Sequence, residues 1–304
     1  MEAMNIFLSY KRSEVFTDGN SSYDFLGGSI CVDYKHGWRD TVIPAGKHFK
    51  PGYPPLSEWT ADWLVTLVAA KTAGNSFSVV ELGAGYGQWM VTAIRAFKSL
   101  RPDGTVRGLA LEADDIHFNW LKEHVSRNLE EYVGVKTELV HAAAGKDGEV
   151  NFPVLDDPAK DYGASYTSGG SQRVVSAPSM SLATVLNRFD SPVIDLLHVD
   201  IQGAEEDLLL KNDVAEPLSR VKFIMVGTHR SEELHNSIAN KLRFLGFKIL
   251  LEWPRNSLLS TGAGEIKTTD GVVIAMNETV GADGIEGYFE KYVPGVAQHQ
   301  VVAN

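Results

Sequence analysis

Apolar positions along the chain change their period several times, and each change predicts an element. Residues 1–55 hold no sustained period and are rich in Gly, Tyr, Pro and Asp (FLGGS, DYKHGW, KPGYPPLS), which predicts loops and short strands. From Ser57 onward Trp59, Trp63, Leu64 and Leu67 recur at helical spacing, with Ser57 placed to cap the start and Gly74 to end it. Strand and helix then alternate. Short apolar runs at 77–83, 105–113, 136–144, 194–200 and 221–229 predict buried strands. Met90, Ala93, Ile94 and Phe97 mark the inner face of one intervening helix, and Ile116, Trp120, Val125 and Leu129 mark that of the next. The run GAEEDLLL continues the fourth strand as helical turns, and Leu234, Ile238, Leu242 and Leu245 give the helix after the fifth one face. Runs at 247–253 and 271–277 bring the strands to seven. With no helix between those two, the last strand is expected to be antiparallel. This alternation predicts an α/β fold: a mostly parallel seven-stranded sheet, Rossmann-like, with helices on both faces.

Residues 145–180 break the alternation. NFPVL and RVVSAP predict two strands flanking the Gly/Ser-rich loop DDPAKDYGASYTSGGSQ, inserted beside the sheet. A loop of that length in a compact domain is usually functional or disordered. The chain divides accordingly into an extension over 1–72, including a helix at 57–72, a main domain over 73–280 containing the insertion, and a tail over 281–304.

Composition narrows the function classes. Hydrophobic residues at 44% and charged residues at 22% are ordinary globular values. With 28 Lys and Arg against 39 Asp and Glu, the net charge of −11 argues against nucleic-acid or anionic-membrane partners, which need clustered cations. The single cysteine, Cys31, excludes an internal disulfide or a multi-cysteine zinc site and reads as an inert buried thiol. The start MEAMNIFLSYKRSEVF lacks the pattern of a signal peptide. The apolar stretch WLVTLVAA falls well short of the ~20 residues that span a bilayer. A soluble, cytoplasmic protein is expected.

The candidate chemistry begins at the end of the first strand, in Glu81-Leu82-Gly83-Ala84-Gly85-Tyr86-Gly87. Glycines there allow a tight turn and close approach of a ligand, and the following helix offers free N–H groups. The dinucleotide fingerprint G-x-G-x-x-G is not met, because the third glycine comes one residue early. Glu81 would repel a pyrophosphate but suits an ammonium. Both departures favour S-adenosylmethionine over a nicotinamide dinucleotide. Glu112, at the end of the second strand, stands where α/β folds bind ribose hydroxyls. The plainer alternatives are a Gly-rich turn and a solvated carboxylate.

The fourth strand reads Ile194-Asp195-Leu196-Leu197-His198-Val199-Asp200-Ile201-Gln202-Gly203-Ala204-Glu205. With the glycine loop and Glu112, this block resembles the FkbM family of class I S-adenosylmethionine-dependent methyltransferases, whose signature here is like I-D-L-L-K-I-D-x-E-G-x-E. The resemblance covers residues 77–252. It departs at His198, where Lys is usual, and at Gln202, where Glu is usual, so no role needing a carboxylate carries over to 202. The resemblance implies methyl transfer, mostly to hydroxyl oxygens of sugars or natural products. It implies donor contacts from Glu81, Gly83, Ala84, Gly85, Tyr86, Glu112, Ala113, Ala142 and Asp200.

A poorly acidic hydroxyl gains from a general base, and His229, ending the fifth strand beside Asp200, is the candidate. A histidine near its reference pKa of ~6.5 would be neutral and able to accept a proton. The alternative is a histidine capping the helix at 231–245. Asp200 would bind the donor's amino group or orient His229. Asp161, Tyr162 and Ser165 of the inserted loop are placed to touch the acceptor, unless the loop is a mobile surface segment. Asp200, Glu205 and His229 also include the donor types of a magnesium site, but the fifth strand lacks a second acid and magnesium prefers carboxylates, so no metal is expected. Trp59 and Trp63 read as core or interface anchors. The expected function is O-methylation of a small polar acceptor, with the extension helping to form its pocket or a contact between copies of the chain. Two rivals remain, a donor-binding module without turnover and a nicotinamide-dependent dehydrogenase.

Overall fold

A computed structural model of the chain describes residues 5–167, 173–189, 191–211, 213–294 and 300–301. The Gly/Ser-rich centre of the insertion, 168–172, and most of the far end of the tail lie outside them. Seven strands form the central sheet: β1 (Ser76–Leu82), β2 (Thr105–Glu112), β3 (Val135–His141), β4 (Ile194–Val199), β5 (Val221–Thr228), β6 (Phe247–Trp253) and β7 (Gly271–Asn277). Their order across the sheet is β3-β2-β1-β4-β5-β7-β6. All neighbours are parallel except β7, which runs antiparallel to both β5 and β6. The expected α/β architecture is therefore present, and its strand order reverses between β1 and β4. That reversal opens a crevice at the carboxyl edge.

Side-chain alternation sends the two faces of each strand to different cores. On one side Phe77, Val79, Leu196 and Phe223 pack under α1 (Thr60–Thr72), α2 (Gln88–Leu100) and α3 (Asp115–Leu129). On the other, Val80, Leu82, Leu197 and Ile224 meet α4 (Leu182–Asn187), α5 (Glu232–Phe244) and a single π turn at Glu206–Leu210. The Asp114 carboxylate caps α3 by accepting the N–H groups of Ile116 and His117, and Ser231 caps α5 through the N–H of Leu234.

The helix α1 begins three residues later than its spacing suggests. Ser57 acts through its backbone, its N–H donating to Thr60 Oγ1 at 3.0 Å. Ala73, rather than Gly74, takes the extended conformation that ends the helix. Every residue from Thr60 to Ala70 is buried, because the sheet covers one side and the extension the other. Tyr10 donates its hydroxyl to the Leu67 carbonyl at 2.5 Å, and the Trp63 ring lies between Phe25 (5.4 Å) and Trp89 (5.5 Å). Asn128 of α3 ties down the extension through Ser29, accepting its N–H at 2.8 Å and donating to its carbonyl at 2.9 Å.

Two further departures concern strands. The run at 136–144 is broken after His141: Ala142 still donates to the Glu112 carbonyl, but Ala143–Gly145 leaves to pair in parallel with Ser179–Ser181. Gly148–Pro153 and Val174–Ser181, the two strands expected in the insertion, pair antiparallel. Between β6 and β7 stands a hairpin, Ser257–Thr261 with Gly264–Thr268, whose short half-polar strands carry too weak a pattern to predict. No described helix is long and apolar enough to cross a membrane.

Trp63→Ala is expected to cost about 3–5 kcal/mol, the usual range for deleting a large buried aromatic. Denaturant unfolding should show that loss, and limited proteolysis should cut first within residues 1–55. A variant as stable as the parent would show that these ring contacts do not fasten the extension.

Candidate active site

The crevice at the carboxyl edge contains a cavity of ≈ 370 Å³. Gly83, Ala84, Gly85, Tyr86, Ala113 and Ala142 line it, as do Glu81, Glu112, Asp200, His229, Tyr162 and Ser165. Asp161 does not: it is exposed, and its Oδ1 accepts the Gly163 N–H within its own turn at 2.9 Å.

The glycine loop is fixed by what surrounds it. At Gly83, φ is +74°, and a Cβ there would lie 1.9 Å from the Asp200 carbonyl oxygen, so no other residue fits. Over Gly85 lies the Tyr162 ring, which would sit 3.2 Å from an added Cβ. Tyr162 stacks on His117 at 4.4 Å and donates its hydroxyl to the Tyr34 carbonyl at 2.5 Å, joining the insertion to the extension above the loop.

Two buried carboxylates organise this half of the cavity. Glu112 Oε1 accepts the N–H groups of Ala113 and Asp114, each at 2.8 Å, and Oε2 accepts that of Gly85 at 2.7 Å. One lone pair of Oε2 remains for a hydroxyl. Burial raises the Glu112 carboxyl against the pull of these N–H groups and His117. Glu81 spans the start of α2, accepting from Trp89 at 3.2 Å and Met90 at 2.8 Å. Burial pushes its carboxyl up to about 7, although His198 and both N–H groups draw it down. A cation placed beside Glu81 would return it to the ionised form.

The other half of the cavity is built by residues far apart in the chain: Lys35, Glu58 and Trp59 from the extension, Asp200 and Gln202 after β4, His229 after β5, and Asp270 before β7. His229 Nε2 lies 3.1 Å from Asp200 Oδ1, and Nδ1 lies 2.8 Å from Glu205 Oε1. Burial would favour the neutral ring, but the two carboxylates outweigh it and raise His229 well above its ordinary value. The neutral, proton-accepting imidazole expected from the reference pKa is thus replaced by an imidazolium with both nitrogens engaged. It does not cap α5, because Ser231 does. Burial raises Asp200, but His229, His198 and Gln202 together outweigh it and hold its carboxyl below the ordinary carboxylate range. Gln202, held at φ +53°, donates its amide to Asp200 Oδ1 at 2.8 Å. A carboxylate at 202 would oppose that charge, which gives the departure from Glu a physical sense. Among the described residues no three His, Cys, Asp or Glu side chains are arranged to hold a metal ion.

Several cavity residues carry weak sequence signals. Asp62 interrupts an apolar helical run and pairs with His198, which with Asp195 is one of two polar residues inside a buried strand. Trp59, expected in a core or interface, is 40% exposed and faces the cavity. Lys35, Glu58 and Asp270 stand in loops with no period to mark them.

The model of the methyltransferase FkbM domain matches residues 81–249. The chain belongs to that family. It is 29% identical over 274 residues to a protein of Jannaschia sp. (strain CCS1) named for methyltransferase activity, covering 84% of this chain and 92% of that one. Among solved structures it is similar to methyltransferase FkbM from Methylobacillus flagellatus KT, at 14% identity and a TM-score of 0.40, covering 66% of this chain and 44% of that one. It is similar also to magnesium protoporphyrin IX methyltransferase from Synechocystis PCC 6803, solved with bound SAM, at 12% identity and a TM-score of 0.37, covering 72% and 78% of the two chains. The chain is thus an S-adenosylmethionine-dependent methyltransferase, and the glycine loop with its carboxylates is the half of the cavity expected from the sequence to take the donor.

Glu81 supplies a titration test of the donor half. With its carboxyl near 7, binding of an ammonium at pH 7 should release about half a proton per molecule bound. Calorimetry of S-adenosylhomocysteine in buffers of different ionisation enthalpy would measure this. Glu81→Gln should abolish the release; a release that survives in that variant would separate Glu81 from the ammonium.

Proposed function

We propose that the chain transfers the methyl group of S-adenosylmethionine to a hydroxyl oxygen of a small, polar acceptor. The observation that supports this reading most is that one cavity runs from the Glu112 and Glu81 carboxylates past Asp200 and His229 to Trp59 and Glu58. Glu112 suits ribose hydroxyls, and Glu81 suits the ammonium of the methionine part. The acceptor half holds carboxylates and an indole face, which suits an uncharged polyol better than an anionic substrate.

The donor is already activated, so alignment supplies much of the rate. The acceptor oxygen attacks the methyl carbon, the carbon–sulfur bond breaks, and its electron pair stays on sulfur as a thioether. As the carbon–oxygen bond forms, the hydroxyl proton becomes strongly acidic and passes to a carboxylate. Asp200 is the group placed to take it: ionised, partly open to the cavity, and held by Gln202 and His229. His229 keeps Asp200 charged and in place, and Glu205, fully buried, fixes the ring from behind. Tyr162 and Ser165 would close the cavity from the insertion. The single buried Cys31 fits a reducing, cytoplasmic setting.

Asp200→Asn should reduce kcat by about 10²–10⁴-fold, the usual worth of a proton acceptor, with donor affinity much less affected. The parent pH–kcat profile should stay level through neutrality, without a step near the ordinary histidine value of ~6.5. In His229→Gln the acid limb should move to higher pH, because burial then raises Asp200 against only His198 and Gln202. Release of S-adenosylhomocysteine with hydroxylated acceptors would measure all three. A parent profile with a histidine limb that vanishes in His229→Gln would instead make His229 the base. Tight donor binding with no turnover on any acceptor would favour a donor-binding module.

A further inference from the structure

Under the donor reading, the methionine part brings a carboxylate as well as an ammonium into a cavity that already holds Glu81 and Asp200. That carboxylate requires a hydrogen-bond donor of its own, since two anions without a proton between them repel. Among the described residues, four cationic or imidazole side chains line the cavity. His229 has both nitrogens engaged by Asp200 and Glu205. His117 bonds the Pro158 carbonyl through Nε2 at 2.9 Å and stacks under Tyr162, on the Glu112 side. Lys35 lies over the Trp59 ring at 4.8 Å, on the acceptor side. His198 remains.

His198 is 1% exposed and stands directly opposite Glu81 in the pairing of β4 with β1. Its Nε2 lies 2.9 Å from Asp62 Oδ1 of α1, and its ring stacks on Trp89 at 5.9 Å, so its orientation is fixed from two sides. Its Nδ1 is buried and has no hydrogen-bond partner among the described residues. A buried polar nitrogen without a partner is uncommon in a folded chain. We infer that His198 is the group that binds the donor's carboxylate, through Nδ1–H, with Asp62 as the residue that positions it. This rests on the donor reading above. The ring's charge is consistent with it: burial favours the neutral form, but Asp62, Glu81 and Asp200 outweigh it and raise His198 above its ordinary value, which favours a proton on Nδ1 as well as Nε2.

The test compares S-adenosylhomocysteine with its decarboxylated counterpart, which keeps the adenosine, thioether and ammonium. Calorimetry on the full chain should show the parent preferring the carboxylated compound by about tenfold or more, as expected for one charge-assisted hydrogen bond. In His198→Gln, which can still reach Asp62, the preference should fall to within about twofold of unity through weaker binding of the carboxylated compound alone. His198→Lys, which keeps a cationic donor, should recover most of it, and Asp62→Asn should shrink it while the ring stays in place. An unchanged preference in His198→Gln, or none in the parent, would overturn the assignment while leaving the donor reading intact. Binding of neither compound by the parent would overturn both.

Discussion

The site depends on a contact between two backbones. After β1 the chain turns at Gly83 directly against the carbonyl of Asp200, and the Asp200 N–H donates to the Leu82 carbonyl at 2.9 Å. Because Gly83 has no side chain, the loop after β1 and the loop after β4 can share one edge of the crevice. Glu81 and His198 then face each other across paired strands, and Asp200 follows two residues on. A methyl group at position 83 would force these loops apart and separate Glu81 and Glu112 from Asp200 and His229.

A second constraint is electrostatic. The cavity gathers Glu58, Asp62, Glu81, Glu112, Asp200 and Asp270, with Glu205 just behind it, and such a group is tolerable only if nearly every carboxylate has an assigned donor. The fold supplies them from different layers. Backbone N–H groups serve Glu81 and Glu112, His198 serves Asp62, the N–H of Thr269 serves Glu58 at 2.7 Å, and His229 lies between Asp200 and Glu205. Burial opposes the charged forms of His198 and His229, but the acids around each raise both above the ordinary histidine value.

The sheet was legible because apolar runs of six to eight residues separated by amphipathic helices have few other ways to bury themselves. That the glycine loop and Glu112 line one cavity was legible for a related reason: they are local, standing where β1 and β2 end. What escaped is nonlocal. Asp62 meets His198 across 136 positions, and Glu58 meets Thr269 across 211, so no window of sequence contains both partners. The protonation state of His229 escaped for the same reason, since it is set by Glu205 and Asp200 in another loop. The hairpin before β7 was missed because its five-residue strands mix polar and apolar positions too evenly to stand out.

The antiparallel β7 has a consequence for how the molecule is made. It is the last strand of the central sheet to be synthesised, yet it lies between β5 and β6, so a growing chain carries β5 with one edge open until residues 271–277 arrive. An unpaired edge of apolar strand is where wrong partners add. Asp270 enters with β7 and lies 4.0 Å from His229, so this side of the cavity is finished by the same event that seals the sheet. A nascent chain stopped short of β7 can have its glycine loop, Glu81 and Glu112 in place and still lack one wall of the cavity.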